Sequence, residues 1–220
     1  MNSLTLLQGS QMPALCLLSG TLGGIIGSFL GVVVERIPPL IKEEEGAGNL
    51  LFPASHCPAC SHTLAWWENI PVLSWCCLRG RCRCCQTAIP LRLLLLEISS
   101  ALFFALTAAY APSAAALMSL WVLWCGLLPL AAIDAKHMLL PDCLTQPLLW
   151  AGLLNHALFH TLPLSDALFG AAAGYLSLWL LYWAFRLTTG REGLGYGDFK
   201  LLAALGAWCG WQALPSLLLA

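Results

Sequence analysis

The chain alternates between long apolar runs and short polar segments. A run of roughly 20 apolar residues is long enough to cross a bilayer as a single helix. Six runs approach that length, at residues 14–34, 93–110, 114–133, 144–159, 167–185 and 201–219. The longest polar segment, residues 36–92, separates the first two runs. The pattern predicts an all-α polytopic membrane protein, with about six transmembrane helices and a small insertion between helices 1 and 2.

Composition supports this class of protein. Of the 220 residues, 59% are hydrophobic and only 10% are charged, whereas soluble domains carry about 25% charged residues. This deficit excludes an ordinary soluble globular domain. The first apolar run lacks the basic start of a signal peptide and is too long for its apolar region, so we predict a retained span.

The positive charges predict an orientation. All lysines and arginines fall in three polar segments that a six-span chain places on one side of the membrane. They are Arg36, Lys42, Arg79, Arg81, Arg83, Arg92, Lys136, Arg186, Arg191 and Lys200. The loops on the other side, around residues 111–113 and 160–166, have none. Because cytoplasmic loops are enriched in positive charge, we expect these three segments in the cytoplasm and the N-terminus outside.

The long polar segment contains two C-x2-C pairs, in CPAC and CRCC. Two such turns can direct four thiolates at one ion, and four cysteines are a frequent tetrahedral zinc set. The predicted metal ligands are Cys57, Cys60, Cys82 and Cys85. Four thiolates leave no open coordination position, so we expect a structural zinc ion rather than a hydrolytic one.

Other assignments of this segment stay open. Cys76, Cys77 and Cys84 are close enough in sequence to replace a ligand, whereas we interpret His56 and His62 as residues that flank the site. Disulfides are the competing interpretation of the pairs. They are disfavoured because the cytoplasm keeps thiols reduced.

Three aspartates stand at the predicted cytoplasmic ends of apolar runs. Asp134 ends the third run, where a helix dipole disfavours negative charge. Asp198 lies in GLGYGDFK, directly before the last run. We interpret Asp142, which follows Pro141, mainly as a helix N-cap, and leave open a part in shaping the site.

Two carboxylates on one face of the membrane suit aspartyl hydrolysis. One carboxylate acts as a base on water while the other, protonated, polarises the scissile carbonyl. Gly195 and Gly197 remove side-chain bulk near Asp198, which would let a backbone or substrate approach closely. We therefore predict Asp134 and Asp198 as the catalytic pair.

Four ordered motifs carry a resemblance that covers nearly the whole chain. They are GSFLGVVVERIP, then CPAC with WENIPVLSW and GRCRCC, then IDAKHMLLPDCLTQPLLWAGLLN, and finally GLGYGDFKLLAALGAWCGW. In these motifs the sequence resembles the type IV prepilin peptidases, which are bifunctional leader peptidases and N-methyltransferases. The resemblance implies catalytic roles for Asp134 and Asp198, and zinc at the paired cysteine motifs.

The same resemblance implies a reaction and a location. Members of the family cleave prepilins or pseudopilins after a glycine, between a short basic leader and an apolar helix. They then methylate the new N-terminus with S-adenosylmethionine. We accordingly expect a multi-pass protein of the bacterial inner membrane that contacts the lipid bilayer and no nucleic acid; homo-oligomerisation stays open. The expected domains are a first transmembrane helix (1–35), a cytoplasmic zinc-knuckle domain (36–92) and a transmembrane peptidase core (93–220).

Two departures from the family pattern are visible. Gly31 stands where the family usually has asparagine, and relatives continue through roughly two more spans, so we expect a C-terminally truncated form. Glu43–Glu45, Glu68 and Glu97 are candidates for attracting a basic leader. No sequence feature identifies a methyl-donor pocket. The alternative functions are a membrane thiol oxidoreductase, which would use redox-active cysteines, and a non-catalytic zinc-bearing assembly module.

Overall fold

A computed structural model describes residues 3–42, 49–50, 55–57, 59–191, 193 and 195–219, with residues 3–11 and 66 described by their backbone alone. Helices dominate these ranges. They are α1 (Ser3–Ile41), α2 (Leu73–Cys77), α3 (Leu91–Tyr110), α4 (Ala114–His137), α5 (Asp142–Phe159), α6 (Leu164–Thr189), α7 (Tyr196–Cys209) and α8 (Leu214–Leu219). Two isolated β-bridges are the only extended pairing within the described residues. The predicted all-α fold class is confirmed.

Within the described ranges, four helices are long and apolar enough to cross a membrane: Met12–Ile41 of α1, then α3, α4 and α6. The bent pair of α7 and Trp211–Leu219 makes a fifth if it is counted as one span. Membrane-spanning helices are therefore present as predicted, but the expected count of six is not reached by length and composition.

The fourth and sixth predicted spans explain the difference. Helix α5 forms where expected, but Gln146, Asn155 and His156 make it more polar than a typical span. The expected continuous run over residues 201–219 is instead broken at Gly210, where φ is +78° and the chain bends by 120°. A left-handed conformation of this kind is readily adopted by glycine and ends a helix.

The described chain forms two compact units, Met1–Pro129 and Leu130–Ala220. In the first unit, α1 and α3 approach closely at Gly23 and Gly27. A Cβ atom at Gly23 would lie 2.5 Å from the Ser100 carbonyl oxygen, and one at Gly27 would lie 2.7 Å from that of Leu96. Small residues permit such close backbone contact, which is a usual way for membrane helices to associate.

Aromatic residues join α4 to α3 within the same unit. Trp121 stacks on Phe104 with ring centroids 4.5 Å apart, and its indole N–H donates to Thr107 Oγ1 at 2.9 Å. Trp124 repeats this arrangement one turn later, and its N–H donates to Ser100 Oγ at 3.1 Å. Each half-buried indole thus has a hydrogen-bond acceptor, as a polar group in an apolar surrounding requires.

In the second unit, α6 and α7 meet at Gly170 and Gly206, whose backbones touch so closely that neither position has room for a Cβ atom. Helix α5 packs on α7 through Trp208, whose N–H donates to the Leu148 carbonyl at 2.9 Å. The ring of Trp208 lies against Gly152, where an added Cβ atom would come within 2.8 Å. These contacts fix α5 and α7, which carry Asp142 and Asp198 in their first turns.

Candidate metal centre and candidate active site

The four cysteines predicted as metal ligands come together in space. Their Sγ atoms all lie within 4.8 Å of one another. Cys57 and Cys85 are 3.7 Å apart, and Cys60 and Cys82 are 3.9 Å apart. Tetrahedral coordination with Zn–S bonds of 2.3 Å requires about 3.8 Å between sulfurs, so the arrangement fits a four-thiolate zinc site.

Each cysteine pair is held by the same kind of turn. The Cys57 N–H donates to the His62 carbonyl and the Ser61 N–H donates to the Cys57 carbonyl, both at 2.9 Å. The second pair repeats both bonds, at 2.9 and 3.0 Å, between Cys82, Thr87 and Gln86. Ser61 and Gln86 occupy equivalent positions and have nearly equal positive φ values, 57° and 58°. Because this backbone conformation is uncommon, its presence at both positions indicates that the two cysteine turns have the same local structure.

Hydrogen bonds prepare two of the sulfurs as thiolates. Backbone N–H groups of Ala59 and Cys60 lower the pKa of Cys57. Hydrogen bonds from the side chain and backbone of Thr87 lower the pKa of Cys85 to about 6. Such bonds favour the charged form of a ligand.

Cys60 shows the opposite effect, a raised thiol pKa. A backbone hydrogen bond at His62 lowers the pKa of Cys60, but burial and the neighbouring sulfurs outweigh it and raise the pKa to about 12. Crowded thiols resist full ionisation unless a bound cation offsets their charge. Among the described residues, the cluster consists of the four predicted cysteines; Cys76, Cys77 and Cys84 are exposed and stand outside it.

The second unit contains both predicted catalytic aspartates. Asp134 lies in the last turn of α4, exposed, with its carbonyl accepting the Met138 N–H at 2.8 Å. Asp198 lies in the first turn of α7, which begins after Gly195. Within the described part of the chain, neither carboxylate has an ion-pair or hydrogen-bond partner, so both are available to bind substrate or water.

The structure brings the two acidic motifs into contact. A Cβ atom at Gly197 would lie 2.7 Å from the Cβ of Leu140, so IDAKHMLLPD packs directly on GYGD. Lys200 Nζ also lies 2.6 Å from both carboxylate oxygens of Asp142. The chain from Asp134 to Leu140 can span at most about 15 Å. Both predicted aspartates therefore belong to the same end of this unit.

Two interpretations of the motif residues are wrong. The space beside Gly197 is occupied by Leu140, so this glycine permits packing of the protein on itself rather than the approach of a substrate. Asp142 is not the N-cap of α5: Pro141 holds that position, and Asp142 is the first helical residue, with its carboxylate on Lys200. The sequence signal for the Asp142–Lys200 ion pair was the presence of opposite charges in two of the four motifs.

The acidic residues proposed to attract a leader are distributed differently. Glu43–Glu45 lie outside the described residues. Glu68 is buried and accepts the Ala65 N–H at 2.7 Å, and Glu97 accepts the Val72 N–H at 2.8 Å. Both therefore have a structural bond in the first unit, and attraction of a leader stays a prediction.

Comparison with known proteins identifies the family of the chain. The family described as "Bacterial Peptidase A24 N-terminal domain" matches residues 21–111, and the "Type IV leader peptidase family" matches residues 121–220. A prepilin leader peptidase/N-methyltransferase of Klebsiella pneumoniae is 52% identical over 197 residues, covering 90% of this chain and 86% of that protein. No solved structure gives a significant match.

More distant relatives have the same name. The prepilin leader peptidase/N-methyltransferase of Aeromonas salmonicida (strain A449) is 50% identical over 89% of this chain and 73% of its own length. The one from Stutzerimonas stutzeri is 44% identical over 96% of this chain and 78% of its own length. On these identities and coverages, the chain belongs to the type IV leader peptidase family, among the prepilin leader peptidase/N-methyltransferases.

Proposed function

We propose that this membrane protein is an aspartyl endopeptidase that removes the basic leader of prepilins or pseudopilins after a glycine and then methylates the new N-terminus. The observation that carries the peptidase assignment is the meeting of the two acidic motifs, through Leu140 on Gly197 and Asp142 on Lys200. This contact joins α5 and its preceding loop to the first turn of α7, which contains Asp198. The same loop follows the last turn of α4, which contains Asp134.

The positions of the two carboxylates at helix ends suggest which one acts as the base and which one as the hydrogen-bond donor. Asp198 lies in the first turn of α7, where the helix dipole stabilises a negative charge. Asp134 lies in the last turn of α4, where the dipole opposes one. We therefore assign Asp198 as the base that takes a proton from water, and Asp134 as the protonated partner that donates a hydrogen bond to the scissile carbonyl.

The zinc site has a structural role in this proposal. Cys57, Cys60, Cys82 and Cys85 would hold the ion, which supplies a closed cross-link and no open position for water or substrate. The methyl donor S-adenosylmethionine would supply an electrophilic methyl group, which passes from sulfur to the new amine while the amine loses a proton. We place the zinc-bearing segment 36–92 in the cytoplasm, between a first transmembrane helix and the peptidase core.

Orientation in the inner membrane follows from charge and burial. We propose an external N-terminus and a cytoplasmic active site, since positive residues are confined to one set of loops. Helix α5 would cross despite its polar residues, because 18 residues span about 27 Å. Its His156 is buried, with Nε2 donating to the Trp208 carbonyl at 3.0 Å and Nδ1 2.7 Å from Thr161 Oγ1. Polar groups satisfied in this way are tolerated in a membrane helix.

The proposal is tested by cleavage of a prepilin in membranes that contain the chain. Asp134→Asn and Asp198→Asn should each reduce cleavage to background. Asp166→Asn is the matched control and should leave cleavage unchanged. Asp166 lies in the first turn of α6, where it accepts a hydrogen bond from Gln212. Full cleavage by either of the first two variants would contradict the dyad. Zinc analysis separates the proposal from a thiol oxidoreductase, which requires free, redox-active pairs.

A further inference from the structure

The first unit encloses a cavity of about 410 Å³ beside the cysteine cluster. Its wall includes Cys57 and Cys82 from the two knuckles, Gly31 and Glu35 from α1, and Glu97 from α3. Cavities of 300–1,000 Å³ with a few polar groups are typical of sites for small molecules. The peptidase chemistry assigned to the second unit does not use this space.

Two buried polar atoms in the cavity wall lack a partner among the described residues. The side chain of Glu68 is only 1% exposed, and its Oε1 accepts no hydrogen bond. The indole N–H of Trp75 is likewise buried and donates to no acceptor. Buried polar atoms are rarely left unpaired, and an unpaired one is a reason to look for a bound molecule or ion.

The neighbours of Glu68 do not satisfy it. Its other oxygen, Oε2, accepts the Ala65 N–H at 2.7 Å, which fixes the carboxylate in place. His62 Nε2 approaches Oε2 to 3.6 Å, which is too long for a hydrogen bond, and leaves Oε1 free. A fixed and buried carboxylate oxygen prefers a positively charged donor.

The wall also contains three arginines, each with a contact of its own: Arg92 pairs with Glu35 at 2.7 Å, Arg36 donates to the Asn49 and Leu50 carbonyls, and Arg83 lies over the Trp67 ring.

Glu97 positions Trp75. Glu97 Oε2 accepts the N–H of Val72 at 2.8 Å. Val72 has φ +61° and ψ −47° and is the central residue of a γ-turn, in which the Leu73 N–H donates to the Pro71 carbonyl. A β-branched residue in this conformation is strained, and such strain persists where the surroundings enforce it. The turn leads directly into α2, which contains Trp75, so the bond from Val72 to Glu97 helps to position the indole.

A ligand for this cavity must therefore offer a positive charge to Glu68 and an acceptor to Trp75. Lysine and arginine side chains of a basic leader carry donors alone, so a leader would have to supply the acceptor for the indole N–H from its backbone. S-Adenosylmethionine carries a sulfonium and an ammonium group together with ring nitrogens and a carboxylate that accept hydrogen bonds. An indole ring also attracts a cation over its face.

We propose that this cavity is the S-adenosylmethionine site, in which Glu68 binds the cationic part of the methyl donor and the Trp75 N–H binds an acceptor of the same molecule. The inference rests on the N-methyltransferase half of the proposed function. It places methyl-donor binding in the first unit and beside the cysteine cluster, whereas both predicted catalytic aspartates belong to the second unit.

The test is equilibrium binding of radiolabelled S-adenosylmethionine to the purified, zinc-loaded full chain, with cleavage of a prepilin and zinc content measured on the same preparations. Glu68→Gln keeps the shape and the bond to Ala65 but removes the charge, so we expect binding to weaken at least about tenfold. Trp75→Phe removes the N–H and should weaken binding about fivefold. Asp166→Asn is the control and should bind as the unaltered chain does.

Cleavage and zinc content should be unchanged in both cavity variants, which separates this inference from the peptidase assignment. The inference is overturned if the chain cleaves prepilin but does not bind S-adenosylmethionine, or if both variants bind it as tightly as the unaltered chain. It is also overturned if Glu68→Gln impairs cleavage while leaving S-adenosylmethionine binding intact, because the carboxylate would then serve the leader. Should Glu68→Gln lose its zinc, Trp75→Phe alone decides between these outcomes.

Discussion

Lys200 Nζ lies 2.6 Å from each carboxylate oxygen of Asp142, so one ion pair joins the first turns of α7 and α5. Lys200 is two residues after Asp198, and Asp142 ends the motif that begins at Asp134. Because this pair links both acidic motifs, we assign it a positioning role for the aspartates rather than a part in the chemistry.

Removing the ion pair should affect cleavage more than stability. Asp142 is 61% exposed in its side chain, and exposed ion pairs contribute at most about 1 kcal/mol. We expect Asp142→Asn and Lys200→Met each to lower kcat/KM for a prepilin about tenfold, with little change in the thermal midpoint. The double variant should be no worse than either single one, because both remove the same interaction. Additive losses would show that the two residues act separately.

Packing of the two motifs on each other makes Gly197 intolerant of a side chain. Gly197→Ala would bring a Cβ atom within 2.7 Å of Leu140, and overpacking of this kind costs about 1–3 kcal/mol. Cleavage and thermal stability should both fall. Gly195→Ala is the matched control for stability, since among the described residues its Cβ would meet Asp198 Oδ2 at an ordinary 3.5 Å.

A compensating change gives the same idea a second test. Leu140→Gly removes the Cβ atom that would meet the new methyl group, so its combination with Gly197→Ala should cost less stability than the sum of the two single losses. Additive losses would show that Leu140 is not the obstacle.

Loss of any one metal ligand should release zinc. We expect one zinc ion per chain, and less than about a tenth of that in Cys57→Ser or Cys82→Ser, since the site requires four thiolates. Cys84→Ser is the control and should retain full zinc, because this exposed residue lies outside the cluster. Zinc content by elemental analysis checks the prediction; equal loss in the control would point to a different ligand set.

The α1–α3 contact predicts different outcomes for two neighbouring glycines. Gly23→Ala places a Cβ atom 2.5 Å from the Ser100 carbonyl oxygen, whereas Gly20→Ala places one 3.4 Å from the Ala105 Cβ. The first substitution should lower the thermal midpoint of the purified protein by several degrees, and the second should be neutral. Equal effects of both changes would argue against the close contact at Gly23.

Sequence predicted what depends on local pattern. The apolar runs predicted the long helices, because a membrane-length run can satisfy its backbone only as a helix. The C-x2-C spacing predicted the cysteine cluster, since each pair needs a single turn to bring its sulfurs together. Helix α5 formed as expected even though it is the most polar of the six runs.

The features that the sequence did not predict depend on tertiary contacts between residues that are distant in the chain. Nothing local distinguishes Gly210, where the last run bends, from glycines inside helices. The Asp142–Lys200 pair joins residues on different helices, and the orphan oxygen of Glu68 arises only when the insertion folds. Gly197 was assigned to substrate because its neighbour Leu140 is distant in sequence.

The central claim, that Asp134 and Asp198 act as one dyad, is tested most directly by kcat/KM for prepilin cleavage in the two single asparagine variants and the double variant. Residues that act as a unit have non-additive effects. We predict background cleavage in each single variant and no further loss in the double one. Cleavage at the unaltered rate in either single variant, or a stepwise loss from single to double, would contradict the account.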